Sequence, residues 1–170
     1  MIPKINKILY TTDLSENSAY AFRYAINSAE KHDAQIHVLH AIEPLRHQTT
    51  DCSFPFNLEK IHETARQELL NEIKERLEQF CREELKNNPE WLKRVKSIDV
   101  IDGHPAPAIL AKTDELKPDL LIMGTHSKGF LAHAFLGSVA EKVLNRIKIP
   151  VFIIPLPEKA DFRSRDVQRS

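Results

Sequence analysis

Residues 120–144 read LLIMGTHSKGFLAHAFLGSVAEKVL. An apolar run opens the stretch, a glycine-containing loop follows, and Gly137-Ser138 begins an amphipathic segment. This is the pattern of a buried strand, a loop and a helix. Of the chain's four glycines, Gly124, Gly129 and Gly137 all fall here. Glycine gathered between a strand and a helix N-terminus marks a place where backbone comes close to something. The first turn of a helix offers free N–H groups and a partial positive charge, so the natural guest is an anion such as phosphate.

The same alternation extends outward. Residues 5–10 form a short apolar run ended by Thr11-Thr12-Asp13, which reads as a buried strand and a polar turn. Ser15 is the expected N-cap of a helix reaching about Lys31, with Ala19, Phe22, Ala25 and Ala29 at helical spacing. Residues 36–42 read as a second strand. Residues 43–57, with Pro44 and Pro55, read as an extended exposed loop. Residues 58–86 form the longest helical pattern, with Ile61, Ala65, Leu69, Ile73, Leu77 and Phe80 as one stripe expected to lie on a sheet face. Asn87-Asn88-Pro89 ends it. A strand is expected over 95–101, a helix over 105–116, a strand over 119–123, a helix over 138–147 and a last strand within 150–155. Continuous apolar strands separated by amphipathic helices indicate an α/β fold, with a parallel sheet covered on both faces.

Composition narrows the function. The chain has 170 residues, which suits one domain, taken as 1–157 with a polar tail over 158–170. Lys+Arg and Asp+Glu are both 24, so no general basic field exists to hold nucleic acid. Cys52 and Cys81 have no metal or redox spacing and read as reduced thiols of a cytoplasmic protein. The N-terminus has no signal-peptide core and the apolar runs are too short to span a bilayer, so no membrane association is expected.

In open α/β sheets ligands bind beyond the carboxyl ends of the strands, where strand order reverses. The turns after strands one and four are the polar candidates. The first turn, Thr11-Thr12-Asp13-Leu14-Ser15, has no glycine, so it is not a dinucleotide fingerprint. Ser127-Lys128-Gly129 lacks the frame of a Walker A loop.

The segments ILYTTDLSENSAYAFRYA, IHVLHAIEP, GHPAPAIL, PDLLIMGTHSKGFLAHAFLGSVAEKVL and IPVFIIP, in this order and spacing, resemble the universal stress protein family over most of residues 1–156. The match is loose over 45–95 and in the tail. The resemblance implies an open, doubly wound, Rossmann-like five-stranded sheet in the order 3-2-1-4-5, which would make strands one and four neighbours. It also implies a site for ATP or another adenine nucleotide, with magnesium as an optional companion, in the branch carrying Gly-x2-Gly-x9-Gly-Ser/Thr after strand four. By position that motif falls on Gly124, Gly137 and Ser138, and Ser127 replaces its second glycine. By the same resemblance Thr11, Thr12 and Asp13 line the adenine and ribose side, where the family often has proline at position 11. Ala41 offers backbone to adenine, Met123 borders the ribose, and the amides of Ser138 and Val139 meet phosphate. Lys128 either reaches phosphate or is a solvated loop lysine.

Ser127 has three readings. If its backbone needs positive φ, a side chain costs about 1–2 kcal/mol. If the motif glycine serves close approach, the serine Cβ collides with phosphate. Alternatively its hydroxyl donates to phosphate. Asp13 has local alternatives, capping the first helix or binding neighbouring turn amides, and Ser138 can be an ordinary N-cap. Among the eight histidines, His37 and His40 sit three apart on a strand and point to opposite faces, a poor chelating pair. No structural metal is expected, and no nucleophile–base–orienter set accompanies His126. The expected function is therefore a homodimeric, cytoplasmic stress-response module that binds nucleotide, with at most slow ATP hydrolysis. Its dimer edge would run from Val151 to Ile154. The alternatives are a relative that binds no nucleotide and acts through a regulatory protein partner, and, third, an enzyme acting on a nucleotide or phosphorylated metabolite.

Overall fold

Five strands lie side by side in the order β3-β2-β1-β4-β5, every pairing parallel. The computed structural model describes residues 2–15, 17–43, 58–125 and 136–155. The strands are β1 (Lys7–Thr12), β2 (Gln35–Ile42), β3 (Val95–Asp102), β4 (Leu120–Thr125) and β5 (Val151–Pro155). The helices are α1 (Ser18–His32), α2 (Leu58–Glu84), α3 (Pro105–Leu116) and α4 (Ser138–Leu144), with a 3₁₀ turn over Pro89–Arg94. The expected strand order is the one found.

β1 and β4 sit centrally because their residues are apolar on both faces. Ile8, Leu9 and Tyr10 are fully buried, as are Leu121 and Ile122. Alternation splits them between two cores. Ile8, Tyr10, Ile36, Val38, Leu120 and Ile122 face α1 and α2, against Phe22, Ala25 and Leu77. Leu9, Leu39, Leu121 and Met123 face α3 and α4, against Ile109, Ala140 and Val143. Each fully buried side chain of this size contributes about 1.5–3 kcal/mol, so the two cores dominate stability.

Three sequence expectations are corrected. Ser15 is not the N-cap of α1; Asn17 precedes the first helical residue, Ser18. The chain first makes a tight turn, because Thr12 Oγ1 accepts from the Leu14 amide (3.1 Å) and Asp13 Oδ1 from the Ser15 amide (3.0 Å). Leu14 takes φ 58° to pass through it. The α2 stripe is only half seated: Leu77 is fully buried and Phe80 packs on the core, while Ala65 is exposed and Leu69 is 38 % exposed. The helix is longer than the sheet it crosses, so the turns carrying Ala65 and Leu69 extend past the core. α4 ends at Leu144, three residues short of the expectation, and Leu144 faces solvent at 37 % exposure. Helical periodicity continued to Ile147 through a turn, with the Ile147 amide donating to the Val143 carbonyl (2.9 Å).

Two charged groups tie the sheet ends together. Asp119 Oδ2 accepts from the amides of Asn6 (2.8 Å) and Lys7 (3.0 Å), which docks the start of β1 beside β4. Lys7 Nζ donates to the Leu116 carbonyl (2.7 Å), which fixes the end of α3 there too.

Candidate functional site

Because every strand is parallel, all the carboxyl ends open on one side of the sheet. β1 has β2 on one side and β4 on the other, and successive connections leave it toward opposite faces, which makes the crevice of a switch point. A cavity of about 710 Å³ lies there. From β1 and the turn after it come Thr11, Thr12 and Asp13, and from β2 and the residue just past its end come Leu39, Ala41 and Glu43. β4 supplies Met123 and Gly124, and the start of α4 supplies Gly137, Ser138 and Val139. Pro105 and Ile109, one helical turn apart on α3, close the β2 side.

The sequence-derived site residues that fall among the described residues therefore share one cavity. Ser127 and Lys128 lie outside the described residues, as do Gly129, His126 and Cys52. Sequence reading missed Glu43, Pro105 and Ile109. Glu43 had a usable signal: Leu39 and Ala41 share one strand face, and Glu43 continues that alternation just past the end of β2. The α3 residues had none, because nothing local says which strand that helix covers.

Gly137 enters α4 at φ 81° and ψ 142°, a conformation in which glycine is needed. Ser138, Val139 and Ala140 follow as the first helical turn, whose amides have no acceptor within the helix. The cavity wall is thus electrically uneven. Amide donors lie at the α4 end, and the carboxylates of Asp13 and Glu43 lie at the β1 and β2 ends. Among the described residues no lysine or arginine lines it.

The universal stress protein family model matches residues 4–155. The chain belongs to the universal stress protein family. It is 30 % identical over 155 residues to universal stress protein MJ0531 of Methanocaldococcus jannaschii, covering 90 % of this chain and 84 % of that one. A Thermus aquaticus universal stress protein is 31 % identical over 149 residues, 86 % of this chain and 96 % of the other. Among solved structures, universal stress protein UspA from Lactobacillus plantarum superposes with a TM-score of 0.65 at 18 % identity, covering 90 % of this chain and 99 % of that one. A universal stress protein crystallised in complex with cAMP gives a TM-score of 0.52 at 22 % identity, with coverages of 89 % and 98 %. These two likenesses show the fold.

In this universal stress protein the turn after β1 is held from behind. The buried Tyr10 hydroxyl donates to the Ser18 carbonyl (2.9 Å), and burial keeps that phenol well above its ordinary pKa and neutral. His40 Nδ1 donates to the Thr12 carbonyl (2.8 Å), which ties β2 to the end of β1. His37 points to the other face and meets Ser97 Oγ (2.8 Å), which donates to Asp99 Oδ2 (3.0 Å). Lys112 Nζ completes this cluster 3.2 Å from Asp99, away from the cavity wall. Burial lowers the pKa of Lys112, but the hydrogen bonds to Glu115 and Asp99 outweigh it and hold the ammonium charged. Burial pushes the Cys81 thiol up to about 12, which makes it a packing residue. Among the described residues no group of His, Cys, Asp or Glu is arranged to hold a metal, and no helix is long and apolar enough to cross a membrane.

Proposed function

We propose that this universal stress protein is a regulatory module that binds an adenine nucleotide (ATP, ADP or AMP) in the cavity beyond β1 and β4. The observation that carries the reading is the convergence of the β1 turn, the end of β2 and the Gly137–Val139 segment on one cavity. Its volume, about 710 Å³, falls in the range of small-ligand sites. The uneven wall gives the ligand a direction. The base lies against Leu39, Ala41 and Ile109, the ribose passes Asp13 and Met123, and the phosphates approach the amides of Ser138 and Val139. Magnesium accompanies the longer phosphate chains, to offset their repulsion from Asp13 and Glu43. A relative of the same fold has been crystallised with cAMP, which supports a nucleotide as the guest. The module works as one domain over residues 1–157, in the cytoplasm, as a homodimer paired through β5. That strand is a sheet edge with Phe152 46 % exposed.

A second reading has the module act through a protein partner without nucleotide. The exposed stretch of α2 around Ala65 and Leu69, the latter 38 % exposed, favours it as a contact surface.

Mass spectrometry of small molecules released on denaturing the purified protein, with titration of ATP, ADP and AMP, separates the two. An adenine nucleotide released or bound supports the first reading. No released ligand and no binding at millimolar nucleotide defeats it. Ala41→Phe, which fills the base end of the cavity, should weaken binding by at least about tenfold. A sedimentation profile of a monomer at micromolar concentration would refute the dimer.

A further inference from the structure

We infer that the polar cluster beneath α3 is a proton-sensitive latch on the cavity: when His37 Nε2 takes up a proton the cluster comes apart, the α3 wall loosens and bound nucleotide is released. This rests on the nucleotide reading above. His37 of β2, Ser97 and Asp99 of β3 and Lys112 of α3 make the cluster. Ser97 Oγ lies 2.8 Å from His37 Nδ1 and 3.0 Å from Asp99 Oδ2. A hydroxyl has one proton and a carboxylate only accepts, so Ser97 donates to Asp99 and the ring N–H sits on Nδ1. Nε2 is then a bare lone pair. It is buried and has no partner among the described residues.

A second ring proton would arrive at a buried nitrogen with no acceptor for it. The charged groups around the ring add to that cost. Lys7 of β1, whose Nζ donates to the Leu116 carbonyl, and Lys112 of α3 are cations. The acids are already engaged: Asp99 Oδ2 accepts from Ser97 and lies 3.2 Å from Lys112 Nζ, and Glu115 of α3 pairs with Lys112 at 3.1 Å. Burial first, then Lys7 and Lys112, keep the ring's pKa below the ordinary 6.5 against the pull of Asp99. A ring freed into water regains its ordinary pKa. Between the two values the loosened arrangement holds a proton that the latched one does not, so acid favours loosening.

The latch and the cavity lie along one contact. His37, Leu39 and Ala41 alternate on one face of β2, and the last two line the cavity. Pro105, Ile109 and Lys112 follow one another on one face of α3. Pro105 and Ile109 line the cavity, and Lys112 holds Asp99. α3 is a single short helix, so release at Lys112 shifts Ile109 with it.

The test uses the full chain. Long-range proton–nitrogen NMR of the ligand-free wild type at neutral pH should show His37 as the Nδ1–H tautomer. Calorimetric titration with AMP at about pH 7.5 and about pH 5.5 should show affinity falling with acid at least about fivefold more in the wild type than in His37→Asn. Asparagine keeps a donor for Ser97 and has no titrating nitrogen, and comparing the two chains at each pH cancels the ionisation of AMP itself. Ligand-free amide exchange over residues 109–116 at about pH 5.5 should be at least about threefold faster in the wild type than in His37→Asn. An Nε2–H tautomer, an equal acid loss of affinity in both chains, or equal exchange each overturns the inference and leaves the nucleotide reading standing. A wild type that binds no AMP at millimolar concentration at either pH overturns both.

Discussion

Replacing Gly137 by alanine tests the geometry on which the α4 end of the cavity depends. Gly137 sits at φ 81° and ψ 142°, immediately before the first helical residue. A Cβ there strains the backbone by about 1–3 kcal/mol. Alanine also restricts the unfolded chain, which returns about 0.4–1 kcal/mol to the folded state. The expected net loss is about 1–2 kcal/mol. At this chain length each kcal/mol moves the midpoint by about 2–4 °C, so the unfolding temperature should fall by roughly 2–8 °C. Urea denaturation followed by circular dichroism measures the free energy, and a thermal scan checks it. Gly137→Asn provides the internal control. Asparagine tolerates the left-handed region, where ψ is near 50°, but not ψ 142°, so it should not rescue. Alanine within about 0.5 kcal/mol of the wild type, the usual range of a neutral surface change, would refute the reasoning. Recovery by asparagine would refute it equally, since it would place Gly137 in the left-handed helical region.

Three further outcomes follow from named residues. Lys117 caps α3 at φ 47° and ψ 59°, so Lys117→Gly should raise stability by about 0.5–1 kcal/mol in the same urea assay. Leu77→Ala removes a fully buried side chain and should cost about 2–5 kcal/mol, whereas Leu69→Ala, at a 38 % exposed position, should cost under about 1 kcal/mol. Similar losses at both would place the whole of α2 on the sheet. His37 has its pKa lowered, first by burial and then by Lys7 and Lys112 and against the pull of Asp99, and its Nε2 is buried without a partner among the described residues. The unfolded chain therefore binds a proton more readily at this site, and stability should fall as pH drops from 6.5 through the folded-state pKa. His37→Leu should flatten that part of the pH profile, measured as urea midpoints; an unchanged slope would remove His37 as its source.

Much of the fold was legible in the sequence. Strands β1 and β4 announce themselves because residues such as Leu9, Tyr10, Leu121 and Ile122 are apolar on both faces, the pattern expected of a covered parallel sheet when amphipathic helices alternate with it. Boundaries were less legible where side chains compete with the helix for the backbone. Ser15 looks like a cap, yet Thr12 and Asp13 capture the next amides and delay α1. The α2 stripe was legible as a period but not as a seat, since a stripe does not say where the supporting sheet ends. On the site, Asp13, Gly137 and Ser138 followed from the order of motifs, while Glu43, Pro105 and Ile109 did not.

The sequence by itself determined the succession of strands and helices, the burial of both sheet faces and the need for glycine before α4. Those properties are local, encoded by side chains a few residues apart. Only the tertiary structure decided that the turn after β1, the end of β2, the first turns of α3 and the start of α4 enclose one cavity. It alone showed that Thr11, only 8 % exposed, forms part of that cavity's wall. The physical reason is that a cavity is bounded by segments distant in the chain. Whether a polar group there is satisfied depends on neighbours that pairing and packing supply, and the residues adjacent in sequence do not specify them.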